Sequence, residues 1–445
     1  MTILRNVGKK IQTILGTKAD TLGKATGFIK RERKFTGSTF IKTLVFGWMQ
    51  KPQATLEELV QAGVLNEIEI SAQGLDKRFT PESAHFSITV LEQAVVEAIK
   101  APNAVSIELL NRFSSVTLFD TTLLNLPDEL VEIWAGTGGS GPTSRSALKG
   151  EVGFDLKTGQ LIGPLLLPGK THDNAGQLPQ VELEKYSLQI SDLGYFSIVD
   201  IAKNKENDIF RLSRLRHDTV IFDEQGKEFD LSSYTLYMKK KNILRCELNV
   251  LIGKQERLPV RVFIERVPEM VSSQRRRQAN KGASKKKKGK TASKKSLSLC
   301  DFTLLITTAP EDKLSFDEAL VLYGARWQIE LLFKLWKSHA KLDTSRSENP
   351  WRILTEIYIK LLACLVQHWI ILMGCWNHPN RSLVKAAQVI RSNANLIAIS
   401  FNSRAKILEV FEIIIRCLDH CCKQNSRRKH PNTWKTLIEG KPKWA

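Results

Sequence analysis

LYGARWQIELLFKLWKS, residues 322–338, sets a row of polar side chains into an otherwise apolar segment. On a helix turning about 100° per residue, Tyr323, Arg326, Glu330, Lys334 and Lys337 gather within about 80°. Leucine, isoleucine, phenylalanine and tryptophan fill most of the remaining circumference, with Gln328 the main polar exception. The plain reading is an amphipathic surface helix with Glu330 and Lys334 paired at i, i+4. A surface helix carries a wider polar face, however. So narrow a charged stripe points to a cleft, where a carboxylate beside cations can hold a metal ion and bind phosphate.

A divalent metal site needs more than one carboxylate. Two upstream aspartates suit the role, because each sits at or near the end of an apolar β-run: Asp120 in SSVTLFDTTLL and Asp192 in LQISDLGYFSI. Taken singly, either would serve as an ordinary loop or cap aspartate.

The whole chain narrows the partner. Its 445 residues allow two to four domains, and 42% hydrophobic with 25% charged residues is globular composition. A formal charge of +20 points to a polyanion, either nucleic acid or an acidic membrane face. The amino terminus is basic but has no continuous apolar run behind it, so export is not expected. Residues 353–376 form the best membrane candidate, yet Glu356, Lys360, Gln367 and His368 interrupt it, which argues for a core helix. Seven cysteines without framework spacing fit a reducing compartment, and packed or free thiols are expected over a zinc site built from Cys417, His420, Cys421, Cys422 and His430.

From Gly8 to about Lys100 apolar residues recur at helical spacing; ATLEELVQAGVLNEIEISAQGLDKRF reads as a helix, a turn with Gly63 and a second helix after Ser71. Strands follow: the run with Asp120, then GEVGFDL and LIGPLLL around Lys157-Thr158-Gly159. A helix-compatible piece spans about Leu178 to Leu188 before the strand that ends near Asp192. DIFRLSRL, TVIFD, LRCELNVLI and PVRVFIERV make a β-rich unit. Residues 272–296 then hold Arg275, Arg276, Arg277, Lys281, Lys285, Lys286, Lys287, Lys288, Lys290, Lys294 and Lys295 without an acid, and read as a mobile basic loop for phosphate-backbone contact or for solubility. CDFTLLITT is a strand, and from Phe316 the chain is predominantly helical.

The pattern Y-x2-R-x3-E-x6-K, filled by Tyr323, Arg326, Glu330 and Lys337, resembles the signature of the insertion sequence 4 family of DDE transposases. FDTT with Asp120 and SDLGYF with Asp192 resemble its first two acidic motifs, in order. The resemblance covers roughly residues 116–337. It implies an α/β fold with an RNase H-like catalytic core, interrupted by a β-rich insertion and flanked by helical domains. The expected layout is a helical DNA-binding domain over 1–104, core segments over 105–205 and 299–345, the insertion with its basic loop over 206–298, and a helical region over 346–445. The 138 residues from Asp192 to Glu330 are too many for one strand-to-helix connection, so an insertion is required. The lysine-rich stretch departs from the family pattern.

By the same resemblance, Asp120, Asp192 and Glu330 are the catalytic and metal-binding residues. They are expected to share two Mg2+ ions, with Mn2+ able to substitute, in cleavage at transposon ends and strand transfer into target DNA. Tyr323, Arg326 and Lys337 would bind the flanking DNA phosphates, and Phe222, Tyr234, Tyr237 or Phe263 would stack on a flipped base. The expected partners are double-stranded DNA and a second copy of the chain in a synaptic complex, with no membrane, at a cytoplasmic, nucleoid-associated location. The alternatives are a transposase-derived, non-catalytic DNA-binding regulator and an RNase H-like nuclease that does not join strands. The P-loop-like GPLLLPGKT has one residue too many between its glycines, and GTGGSG lacks dinucleotide-binding spacing, so no nucleotide cofactor is expected.

Overall fold

Thr36, Thr55 and Thr80 each begin a helix as reciprocal capping boxes, satisfying amide donors that a helix start leaves open. A computed structural model of the chain describes residues 3–31, 34–138, 145–175, 183–286, 290–378, 380–425 and 432–440. The amino-terminal third is helical as its periodicity predicts: α1 Ile3–Gln12, α2 Ala19–Ala25, α3 Gly37–Gln50, α4 Leu56–Val64, α5 Ala72–Asp76 and α6 Pro81–Val95. Gly63 lies within α4 rather than in the turn, and α5 is a five-residue helix.

After the short α7, Glu108–Asn111, come β1 Val116–Asn125, β2 Ala147–Asp155, β3 Leu161–Pro168 and β4 Leu188–Ser191. Next are α8 Ile198–Glu206, β5 Phe210–Arg214, β6 Ile221–Phe222, α9 Leu231–Lys240, β7 Arg245–Ile252 and β8 Leu258–Arg266. α10 Glu269–Lys286, α11 Lys294–Leu299 and β9 Phe302–Thr307 precede α12 Phe316–Ala325 and α13 Trp327–Lys334. The chain closes with α14 Pro350–Gly374, α15 Leu383–Ser392, α16 Ala394–Ser400, α17 Arg404–Cys421 and α18 Thr433–Glu439.

The fold is mixed α/β, with one nine-stranded mixed sheet in the order β3-β2-β1-β4-β5-β9-β8-β7-β6. β1, β4 and β5 run parallel, β2 and β3 form an antiparallel hairpin, and β5 through β6 are joined by antiparallel pairings. Two compact units divide the chain, Met1–Ile107 with Asp120–Leu178 and Trp327–Lys435, and Glu108–Phe119 with Pro179–Arg326 and Thr436–Ala445.

In the first unit the core helix is α14, against which α3, α6 and α17 pack. By length and composition it could cross a membrane, but 94% of its apolar window is buried inside the fold. Its polar interruptions from Glu356 to His368 each find a partner. Lys360 pairs with Glu356 at 2.7 Å, Gln367 donates to the Ala387 carbonyl at 2.9 Å, and the His368 Nε2 lies 2.7 Å from the Gly159 carbonyl. Gly159 turns the β2–β3 hairpin at φ +71°, a backbone conformation that glycine adopts without strain.

In the second unit one sheet face buries Val262, Ile264, Phe302, Leu304 and Ile306 against Ile201 of α8, Met238 of α9 and Leu299 of α11. The opposite face carries α12, whose Phe316 ring packs 5.0 Å from Phe263 of β8.

Three expectations need correction. The helix expected over about 178–188 has its first residues, 178–182, outside the described residues, while 183–187 are non-helical and Leu188 already begins β4; the helix of this region is α8, beyond Asp192. The β-rich unit contains α9, whose serine-rich start is capped by Asp230. The basic stretch is not a loose loop through its described part, because α10 runs to Lys286 and α11 resumes at Lys294. α10 is anchored by Arg276, which bonds the buried Asp301, and by the Arg275 Nη1, which donates to the Phe302 carbonyl at 2.9 Å.

Candidate active site

The segment that carries Tyr323 to Lys337 is helical but not one regular helix. α12 ends at Ala325, Arg326 caps it, α13 starts at Trp327, and Leu335–His339 is wound as a π-turn. Trp327 is 52% exposed and Leu331 37%, so the apolar side is less completely covered than the sequence suggested. Tyr323, Arg326, Glu330 and Lys337 are all half-buried.

The two aspartates are placed by the parallel pairing of β1 with β4. Phe119 pairs with Ser191, and Asp120 and Asp192 are the residues that follow them. Asp120 therefore lies in mid-strand rather than at the strand end, and Asp192 caps a single 3-10 turn, Leu193–Tyr195. Both are half-buried. Asp120 and Glu330 belong to the first unit and Asp192 to the second. Among the described residues, no three His, Cys, Asp or Glu side chains are grouped as a metal-ion cluster.

Around Asp120, the Thr121 amide donates to Asp120 Oδ1 at 2.8 Å, and the Thr121 hydroxyl donates to Asp173 Oδ1 at 3.2 Å. Lys149 of β2 pairs with the same Asp173 oxygen at 2.9 Å. The Lys337 ammonium donates to the Leu123 carbonyl of β1 at 2.8 Å, and burial holds its pKa below the usual lysine value.

Around Asp192, the Tyr323 hydroxyl donates to Oδ1 at 3.2 Å. Burial, then the Asp192 charge, pushes the Tyr323 pKa well above the usual phenol range, so the hydroxyl keeps its proton and can only donate to the carboxylate. Beneath the turn lies Arg211 of β5, fully buried. Its Nη2 bonds the Ser191 hydroxyl and donates to the Tyr195 carbonyl at 3.0 Å, so one guanidinium spans the turn that carries Asp192. Burial lowers its pKa to about 10, and its Nε has no hydrogen-bond partner.

Sequence reasoning passed over Lys149, Asp173, Arg211 and Arg214. None stands in a spaced motif, and a lone arginine in a strand gives no signal of what its guanidinium spans.

Among the aromatics weighed for base stacking, Phe263 is fully buried, Phe222 is covered by the Arg257 guanidinium at 3.2 Å, and the Tyr234 hydroxyl lies 3.1 Å from the Cys246 sulfur. Tyr237 is 50% exposed. The cysteines form no disulfide among the described residues, and His430 lies outside them.

Asp120 thus stands on the first strand, Asp192 directly after the fourth and Glu330 on a helix beyond the last strand. The family model for the transposase DDE domain matches residues 111–366, and the chain belongs to that family, which implies an RNase H-like core and a divalent metal cofactor. Relatives extend the likeness along the chain. The transposase for insertion sequence element IS231B of Bacillus thuringiensis subsp. berliner is 27% identical, over 94% of this chain and 91% of that protein. The transposase for IS231C of the same organism is 26% identical over the same shares. The transposase for IS1151 of Clostridium perfringens is 24% identical over 79% of this chain and 77% of its own. The insertion sequence 4 resemblance fits these relatives.

Proposed function

We propose that the chain is the transposase of an insertion sequence, cleaving DNA at the element's ends and joining the freed 3′-hydroxyl to target DNA. The observation that carries the reading is the β1–β4 register, which runs Phe119 and Ser191 as partners immediately ahead of Asp120 and Asp192. With Glu330 they form an all-oxygen donor set, which suits a hard cation such as Mg2+ or Mn2+. Two bound ions would activate the attacking oxygen and stabilise the leaving oxygen of an in-line displacement.

The chain's own residues do the rest. Tyr323 fixes the Asp192 carboxylate by its hydrogen bond to Oδ1 and leaves Oδ2 for coordination. Arg211 holds the turn beneath it. Arg326 and Lys337 act as cations for the backbone phosphates on either side of the scissile bond. In this reading the helices over 1–104 bind the element's ends, residues 206–298 are the insertion, the helices over 346–445 support a homodimer that holds two ends together, and the enzyme works in the cytoplasm at the nucleoid.

Incubation of the purified protein with its element's end DNA and Mg2+ should produce a nick at the element boundary and joined products. An end-specific complex that binds but never nicks would favour the regulator, and nicking without joining would favour a nuclease.

A further inference from the structure

We propose that Arg275, brought by the basic helix α10, and Arg214 of β5 form a seat for one DNA backbone phosphate beside Asp192. This rests on the reading above, in which the substrate is DNA and Asp192 belongs to the active site.

The second unit carries the geometry. β4 and β5 are parallel with Ser191 opposite Ser213, so Asp192 and Arg214 are the next residue on each strand. Arg214 pairs in turn with Leu305 of antiparallel β9, and directly opposed residues point to one face. Leu305 and Thr303 share that face, because side chains alternate along a strand. Arg275 reaches it from α10: Nη2 donates to the Thr303 hydroxyl at 3.2 Å while Nη1 holds the Phe302 carbonyl. It is also the face on which α12 packs, and α12 supplies the Tyr323 hydroxyl to Asp192.

Two guanidinium groups are thus directed to one face beside the Asp192 carboxylate, which already accepts from Tyr323. Among the described residues neither forms an ion pair. The other nearby acids are engaged elsewhere, Asp301 with Arg276 and Lys239, and Glu265 with Arg245. The Arg275 pKa is held down by burial first and by the Arg214 charge second, which records the proximity of the two cations. A phosphodiester relieves the repulsion between the two cations, and the planar fork of arginine matches its oxygens. A strand, rather than a free anion, is the ligand that the proposed function brings to this face.

The test uses the full-length protein and labelled end DNA without divalent metal, so that binding is read apart from cleavage. Arg275→Gln keeps a donor for the Phe302 carbonyl but loses the charge. Its log–log dependence of affinity on salt should be shallower by about one unit, the loss of one phosphate contact, while Arg275→Lys keeps the wild-type slope. Single methylphosphonate replacements along the end should reveal one position that weakens wild type but costs Arg275→Gln nothing more. Arg214→Gln, which leaves the α10 anchor intact, should show the same blind position and decides the matter should Arg275→Gln fail to fold. An unchanged slope, or a methylphosphonate pattern identical to wild type in either variant, overturns the seat. Glu330→Gln run in parallel separates the two readings: cleavage that survives in it sinks the catalytic assignment and leaves the phosphate map standing, whereas a flat map with Glu330→Gln inactive sinks the seat alone.

Discussion

Replacing Arg211 with methionine sets two opposing energies against each other, and their near balance makes the outcome informative. Burial lowers the guanidinium pKa from 12.5 to about 10, and at about 1.4 kcal/mol per unit its cationic form bears roughly 3 kcal/mol of uncompensated desolvation. Methionine removes that cost. It also strips the Ser191 hydroxyl and the Tyr195 carbonyl of their partner, at about 1–3 kcal/mol for each buried group left unsatisfied. The net change therefore lies between a gain of about 1 kcal/mol and a loss of about 3 kcal/mol. An arginine that contributes so little to stability is retained for what it holds, the turn carrying Asp192. Arg211→Met should unfold in urea close to wild type while its single-turnover nicking rate falls at least about tenfold, equivalent to about 1.4 kcal/mol of lost transition-state stabilisation. End-DNA affinity should stay within about twofold. Large destabilisation with an unchanged nicking rate per folded molecule would refute the reasoning and leave Arg211 a purely structural ion.

Three other perturbations follow from the same geometry. Tyr323→Phe deletes the donor to Asp192 at 3.2 Å; a long bond to a charged acceptor, worth about 1–1.5 kcal/mol, predicts nicking slowed about five- to tenfold with DNA binding unchanged, and equal losses in both would place the hydroxyl on DNA instead. His368 is held neutral by burial with a pKa of about 4 against 6.5, so only the unfolded chain takes up its proton between those values. Its contribution is full above pH 6.5 and is lost as pH falls toward 4, up to roughly 3 kcal/mol, and a His368→Gln variant should unfold with a flatter pH dependence. The Glu356–Lys360 pair in α14 is buried on both sides; Glu356→Gln leaves the ammonium only the Lys341 and Thr344 carbonyls and should cost about 3 kcal/mol in urea unfolding, whereas replacing both residues with leucine and methionine should recover most of it.

Much of this was written plainly in the chain. A two-residue period through the strands and a 3.6-residue period elsewhere located many of the elements, because each depends on neighbours within a few positions. Asp120 and Asp192 were picked out as candidates through Glu330, since a divalent metal site needs more than one carboxylate. What stayed hidden was non-local. α10 looks like a soluble spacer from composition alone, and only the anchoring of Arg276 on Asp301 and of Arg275 on Phe302 ties it to the start of β9. The interruption at Arg326 escapes a wheel that assumes constant rotation. Arg211 sits in a strand that reads as ordinary, and its value appears only when the Asp192 turn folds over it.

The most direct measurement compares Asp120→Asn, Asp192→Asn and Glu330→Gln with wild type on the same end DNA, following nicking in Mg2+ and binding in its absence. Each change keeps size and hydrogen bonding but removes one negative charge from the donor set. All three variants should bind within about twofold of wild type and nick at no detectable rate. A variant that nicks near the wild-type rate would show that its carboxylate is not one of the three on which the chemistry depends.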